Sequence, residues 1–143
     1  MRILLDTHTF LWFILDDPQL STTAKAMIED PANDVEVSPA SYWEIAIKIS
    51  LRKYSLPQPY QQFMESQIAI NDFGILHIEP KHTNLITTMP SHHKDPFDRL
   101  LVAQAIAEGI PSSARMCNST HTACRGSGKP MGTATQNIWV TRL

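Results

Sequence analysis

Four acidic residues, Asp6, Glu44, Asp95 and Asp98, fall where a folded chain could gather them. Hard divalent cations take oxygen ligands, and Mg2+ binds through one or two carboxylates while keeping several waters. One or two such ions could lower the pKa of a bound water, aim it at a phosphodiester and stabilise the leaving oxygen. Each acid also has a plainer role open to it. Asp6 directly follows the apolar run Ile3-Leu4-Leu5 and could cap the helix after it. Glu44 stands four residues before Lys48, the spacing of a surface ion pair on a helix. Apolar neighbours on both sides of Glu44 nevertheless argue that its carboxylate needs a partner. In Asp95-Pro96-Phe97-Asp98 the first acid can be an N-cap and the proline the first helical residue. Asp98 is within one turn of it, and two acids this close repel unless a cation or proton lies between them. The adjacent Arg99 is the other candidate neutraliser.

These residues need a scaffold, and the apolar pattern supplies one. Residues 2–5 predict a short buried strand, and a densely apolar helix runs from Thr7 to Leu15, where Asp16-Asp17-Pro18 stops it. Ser21 caps a helix to about Glu29. Val35 and Val37 mark a second strand, after which Ser38-Pro39 opens a helix ending near Lys53-Tyr54. Tyr60–Ile70 predicts a helix, residues 74–78 a third strand, and residues 81–88 a short helix. Asp95 to Glu108 is helical, with Gly109 just past its end. Strands alternating with helices give an α/β sandwich around a parallel sheet. Asp6 then sits at the carboxyl end of the first strand, the edge where such sheets bind ligands.

With 143 residues, 43% hydrophobic and 18% charged, the chain suits one globular domain. A formal net charge of −2 argues against a simple nucleic-acid-binding module, but not against a nuclease, because metal-holding carboxylates lower the charge themselves. No apolar run approaches the roughly 20 residues of a membrane-spanning helix, and Ile3-Leu4-Leu5 is too short for a signal-peptide core. The expectation is a cytoplasmic protein with no membrane association.

Three runs stand in series: Leu4-Leu5-Asp6-Thr7-His8, Ser38-Pro39-Ala40-Ser41-Tyr42-Trp43-Glu44-Ile45-Ala46-Ile47-Lys48, and Asp95-Pro96-Phe97-Asp98-Arg99-Leu100-Leu101-Val102-Ala103-Gln104-Ala105 preceded by His92-His93-Lys94. Together they resemble the leading motifs of PIN-domain proteins, and most closely the VapC-like toxins of toxin–antitoxin systems. The resemblance covers residues 1–111. It implies a three-layer α/β/α fold and an endoribonuclease using Mg2+ or Mn2+. It also implies a small cognate antitoxin as partner, an RNA substrate and a homodimer. Asp6, Glu44 and Asp98 match the family's first three acidic positions, with Asp95 as helper or cap.

After Pro111 the sequence departs from that pattern. Residues 112–143 are rich in Ser, Thr, Gly, Ala, Asn and Arg, with no periodicity until Ile138-Trp139-Val140. The family continues with a strand, a fourth acid in a Ser/Thr-x-Asp motif and a last strand; here Arg115 stands near the expected acid. Codon arithmetic offers a reason. When the last base of each codon is read with the first two of the next, permitted codons for Pro111 through Gly128 yield Leu-Ile-Ser-Ala-Asp-Val-Gln-Phe-Asp-Ala-Tyr-Gly-Val-Gln-Arg-Leu-Trp, and the junction with Lys129 can read as a stop. Loss of one C from a CCCC run at Pro111 would produce the observed tail. On this expectation residues 112–143 are out of frame and poorly ordered, the fourth acid is lost, and activity is impaired.

Other residues carry weaker signals. His8, His92 and His93 suit structural or loop roles, since a metal-activated water needs no His base. Trp12 and Trp43 suit the core or a partner surface, and Lys48, Arg52 and Lys53 a solvated helix end. Cys117, His121 and Cys124 match no strong zinc spacing. Two further function classes stand beside the ribonuclease. One is a catalytically inactive toxin remnant that still binds antitoxin. The other is a phosphatase of the haloacid-dehalogenase type, which needs a second Asp where this chain has His8.

Overall fold

A computed structural model describes residues 1–90 and 95–112. Its elements run β1 (Arg2–Leu5), α1 (Thr7–Ile14), α2 (Thr22–Glu29), β2 (Asp34–Val37), α3 (Pro39–Ser50), α4 (Tyr60–Ile70), β3 (Gly74–Ile75), α5 (Pro80–Thr88) and α6 (Pro96–Glu108). The three strands are parallel in the order β1-β2-β3, with Leu5 opposite Val37 and Val37 opposite Ile75. Successive side chains of a strand point to opposite faces, and β1 divides accordingly. Ile3 and Leu5 join Val35, Val37, Phe10, Leu11, Ile28, Ile45 and Phe63 in one apolar cluster, served by α1 to α4. Leu4 joins Leu76, Leu101 and Ala105 on the other face, under α6. Helices thus cover both faces of the sheet, the expected α/β architecture.

The capping residues act as their types dictate. Ser21 Oγ accepts from Ala24 N–H, Ser38 Oγ from Ala40 N–H, and Asp95 Oδ1 from Phe97 N–H. Pro39 and Pro96 occupy the first turns of α3 and α6. Gly109 ends α6 at φ 65°, the left-handed conformation that glycine adopts without cost.

Two boundaries differ from expectation. Helix α3 stops at Ser50 rather than near Lys53-Tyr54, because Arg52 turns left-handed at φ 56°. The N–H groups of Arg52 and Lys53 then fold back onto the carbonyls of Ile49 and Lys48, closing the helix end. Strand β3 is two residues, not five. Leu76 N–H still donates to Val37 O, but the carbonyl of Leu76 accepts from the buried Gln104 side chain of α6 at 3.0 Å, so a side chain takes over from a strand ladder there.

Beyond α6 the chain returns to the sheet. Leu4 N–H donates to the Pro111 carbonyl at 3.1 Å, and Ser112 forms an isolated parallel bridge with Leu4. The chain thus meets β1 on the edge opposite β2.

A polar cluster ties this frame together at the far ends of β1 and α6. Glu108 lies 2.6 Å from Lys81, 3.1 Å from the fully buried His82 and 3.5 Å from Arg2, which also pairs with Glu36. Hydrogen bonds from Lys81 and then His82 hold the Glu108 carboxyl down at about 2 against an ordinary 4.5. A depressed carboxyl lends stability that is complete above its unfolded pKa and is lost as pH falls through the folded one. Glu108→Gln is therefore expected to flatten the acid limb of stability between about pH 4.5 and 2. Denaturant melts of both proteins across that window check it; parallel limbs would show that Glu108 is not a source of the acid sensitivity.

Candidate active site

Three packed elements deliver the predicted acids. Asp6 follows β1 and caps α1, Glu44 lies in the second turn of α3, and Asp95 and Asp98 open α6. Helix α3 packs against both α1 and α6, which brings these segments together. The contact with α1 is fixed by a buried hydroxyl pair, Thr7 Oγ1 donating to Ser41 Oγ at 3.1 Å.

Asp6 performs the capping role open to it. Its Oδ1 accepts from the N–H groups of His8 and Thr9 at 2.9 Å each, and its Oδ2 from Thr9 Oγ1 at 2.8 Å. These bonds hold the carboxylate in one orientation at the strand's carboxyl edge. Thr9 was not singled out from the sequence; its position three residues after an N-cap acid is the signal that could have found it. Asp95 caps α6 in the same way.

Glu44 is buried, with 5% of its surface exposed. Its Oε1 is 2.7 Å from Lys48 Nζ, the expected i,i+4 pair, but inside the protein rather than on a solvated face. Its Oε2 is buried and has no hydrogen-bond partner among the described residues. Lys48 is likewise not the free helix-end cation expected of it. Its side chain is 18% exposed and its Nζ lies 3.1 Å from His8 Nε2.

Asp98 registers the surrounding charge. Burial pushes its carboxyl up to about 6, and the negative charges of Asp95, Glu44 and Asp6 add to the rise, with Lys48 opposing. The His8 imidazole is pushed down, first by burial and then by Lys48, while Asp6, Glu44 and Asp95 oppose that shift. Asp98 and His8 thus both sense Asp6, Glu44, Asp95 and Lys48, which places these groups within electrostatic reach of one another. Arg99 does not neutralise them as supposed. Its guanidinium donates to the carbonyls of Ile86 and Met89 at the end of α5, latching α5 to α6.

The donor set is all oxygen, the chemistry of Mg2+ or Mn2+. The unpartnered buried Glu44 oxygen and the mutual repulsion at Asp98 both suit a divalent cation. Among the described residues, however, no three Asp, Glu, His or Cys side chains are drawn tightly enough to form a finished coordination shell. The acids influence one another without having closed on a point.

Trp43 is 65% exposed and rests edge-on against Phe97 with ring centroids 5.2 Å apart, so it belongs to the surface beside the pocket and not to the core. His92, His93, Arg115, Cys117, His121, Cys124 and the tail 113–143 lie outside the described residues.

Among solved structures, the chain is similar in fold to a chain of the crystal structure of VapBC2 from Rickettsia felis bound to a DNA fragment from their promoter. The TM-score is 0.58 and the identity 16%, over 78% of this chain and 86% of that one. No curated protein matches the chain. The family model described as PIN domain matches residues 3–112, which contain all four acids and every element but the first residue of β1. The chain belongs to the PIN-domain family.

Proposed function

We propose that the chain is a VapC-like toxin, a metal-dependent endoribonuclease held in check by a cognate antitoxin. The observation that carries the reading is the buried Glu44 oxygen without a partner, with the charges of Glu44, Asp6 and Asp95 bearing on Asp98. Asp6, Glu44 and Asp98 would hold Mg2+ or Mn2+, with Asp95 assisting while it caps α6. A bound cation supplies activation of a water and charge stabilisation at the phosphate. The chain's own residues orient the carboxylates. Thr9 and the α1 amides fix Asp6, and the Thr7–Ser41 bond fixes α1 against α3.

The structural neighbour is a VapBC complex on promoter DNA, which supports a small antitoxin as this chain's partner. A homodimer working in the cytoplasm fits the same reading. No helix among the described residues is long and apolar enough to cross a membrane.

The test is cleavage of single-stranded RNA by the purified chain with Mg2+ or Mn2+. Cleavage abolished by chelator and by Asp6→Asn is the expected result; cleavage that survives either change sinks the assignment.

One observation favours a second reading, an inactive remnant that retains antitoxin binding. No Asp or Glu follows Glu108 in the chain, so the tail cannot supply a fourth acid. We attribute this to a lost base at Pro111, which divides the chain into a nuclease unit, 1–111, and an out-of-frame tail, 112–143. Antitoxin binding without RNA cleavage by the chain is the result that selects the remnant.

A further inference from the structure

We propose that Lys48 is the pocket's resident counter-ion, holding Glu44 in the cation-free state and yielding it when a divalent metal enters. The inference rests on the metal-dependent reading above and assigns a role to a residue outside its acidic set.

The spacing sets the contact. Lys48 is one helical turn beyond Glu44, so both side chains leave the same face of α3. Nζ sits 2.7 Å from Glu44 Oε1 and 3.1 Å from His8 Nε2, and lies 6.0 Å from the centre of the Tyr54 ring. An ammonium has only donors, so His8 accepts at Nε2 and carries its proton on Nδ1. His8 thereby turns the ammonium toward Glu44 and is a positioning residue for it. The arrangement explains why the acids do not close on a point. One oxygen of Glu44 is engaged by Lys48, and the other is buried and unpartnered.

A single positive charge cannot offset four carboxylates. A divalent ion brings twice the charge and binds oxygens directly. Once it takes Glu44, the ammonium faces a like charge at short range and loses its partner. The lysine stem is flexible and its head strongly hydrated, so the low-cost response is to swing outward into water. Lys48 therefore sets the metal concentration at which the site fills. A neighbouring charge of this kind shifts an ionic equilibrium by about tenfold or more.

Mn2+ titrated calorimetrically into the full chain tests this. Lys48→Met keeps the stem and removes the charge, and it is expected to bind Mn2+ about tenfold more tightly than the unaltered protein. Equal or weaker binding overturns the proposal. A measurement on the unaltered chain guards against a misfolded variant. Amine acetylation at Lys48, followed by mass spectrometry, should quicken when Mn2+ is added, with Lys25 on the outer surface as reference. Lys48 reactivity that stays constant or falls with Mn2+ also overturns it. Failure of the underlying reading looks different. In that case neither protein binds Mn2+, and both proposals fall. Binding that Asp98→Asn abolishes and Lys48→Met leaves unchanged keeps the metal site and removes only the role of Lys48.

Discussion

Asp98→Asn is expected to stabilise the metal-free protein at neutral pH while removing its cleavage activity. The two effects have one origin. In the folded chain the Asp98 carboxyl is raised from 3.8 to about 6, first by burial and then by Asp95, Glu44 and Asp6. A carboxyl whose folded pKa lies above its unfolded one favours folding in its protonated form. The wild-type penalty is absent below about pH 3.8, grows as pH rises toward 6, and is complete above that. Each pKa unit corresponds to about 1.4 kcal/mol, so the penalty at pH 7 is at most about 3 kcal/mol. Asparagine keeps the shape and cannot ionise. Denaturant melts in the presence of a chelator should show the variant more stable by about 1–3 kcal/mol at pH 7. The two proteins should converge near pH 4. Added Mg2+ should narrow the gap by stabilising the wild type alone, since a ligand that binds only the folded state adds to its stability. Cleavage should fall about a hundredfold or more, the usual cost of removing one group that stabilises charge at a reacting centre. A variant less stable than wild type at pH 7 would mean that Asp98 is a structural partner and not a strained ligand.

This trade of stability for a site was only half visible in the sequence. The acids and the elements that carry them follow from local rules. An apolar run ends at Asp6, Ser38-Pro39 opens a helix, and Asp95-Pro96 opens another with Asp98 in its first turn. Those signals reside within a few residues, and the folded chain keeps them. What was not legible depends on contacts across the chain. The end of β3 is set by Gln104, 28 residues further on, whose side chain takes the Leu76 carbonyl. Arg99 adjoins two acids in sequence yet reaches back to α5 for its partners. Lys48 resembles a solvated helix end until α1 places His8 beside it. The Glu44–Lys48 spacing suggested a weak surface pair, but burial decides what such a pair does. Periodicity reports which face of a helix is apolar; it does not report which polar residue at the border of that face will be enclosed.

Restoring the other reading frame is expected to improve both fold and activity. The chain that follows α6 already touches the open edge of β1, through the Pro111 carbonyl and the Ser112 bridge at Leu4. Leu4 is fully buried, so a strand laid beside it has an apolar layer to join. After Pro111 the present sequence offers Ser-Ser-Ala-Arg-Met at that place. The two serines bury little apolar surface. The shifted frame offers Leu-Ile-Ser-Ala-Asp instead. Its first two side chains, if enclosed, contribute about 1.5–3 kcal/mol each. Its acid falls at position 116, one beyond Arg115 of the present chain, and supplies the oxygen ligand that the tail otherwise lacks. A chain of residues 1–111 continued by the shifted-frame string should therefore unfold at higher denaturant and bind Mn2+ more tightly. It should also cleave RNA faster than the present chain by about a hundredfold or more, the cost of the missing charge in reverse. The steeper denaturant dependence of a larger buried surface should accompany the gain. Equal stability and equal activity would mean that the strand beside β1 is not missing. The coding DNA decides the cause independently: codons that cannot give the string in the shifted frame remove the lost base as an explanation, whatever the restored chain does.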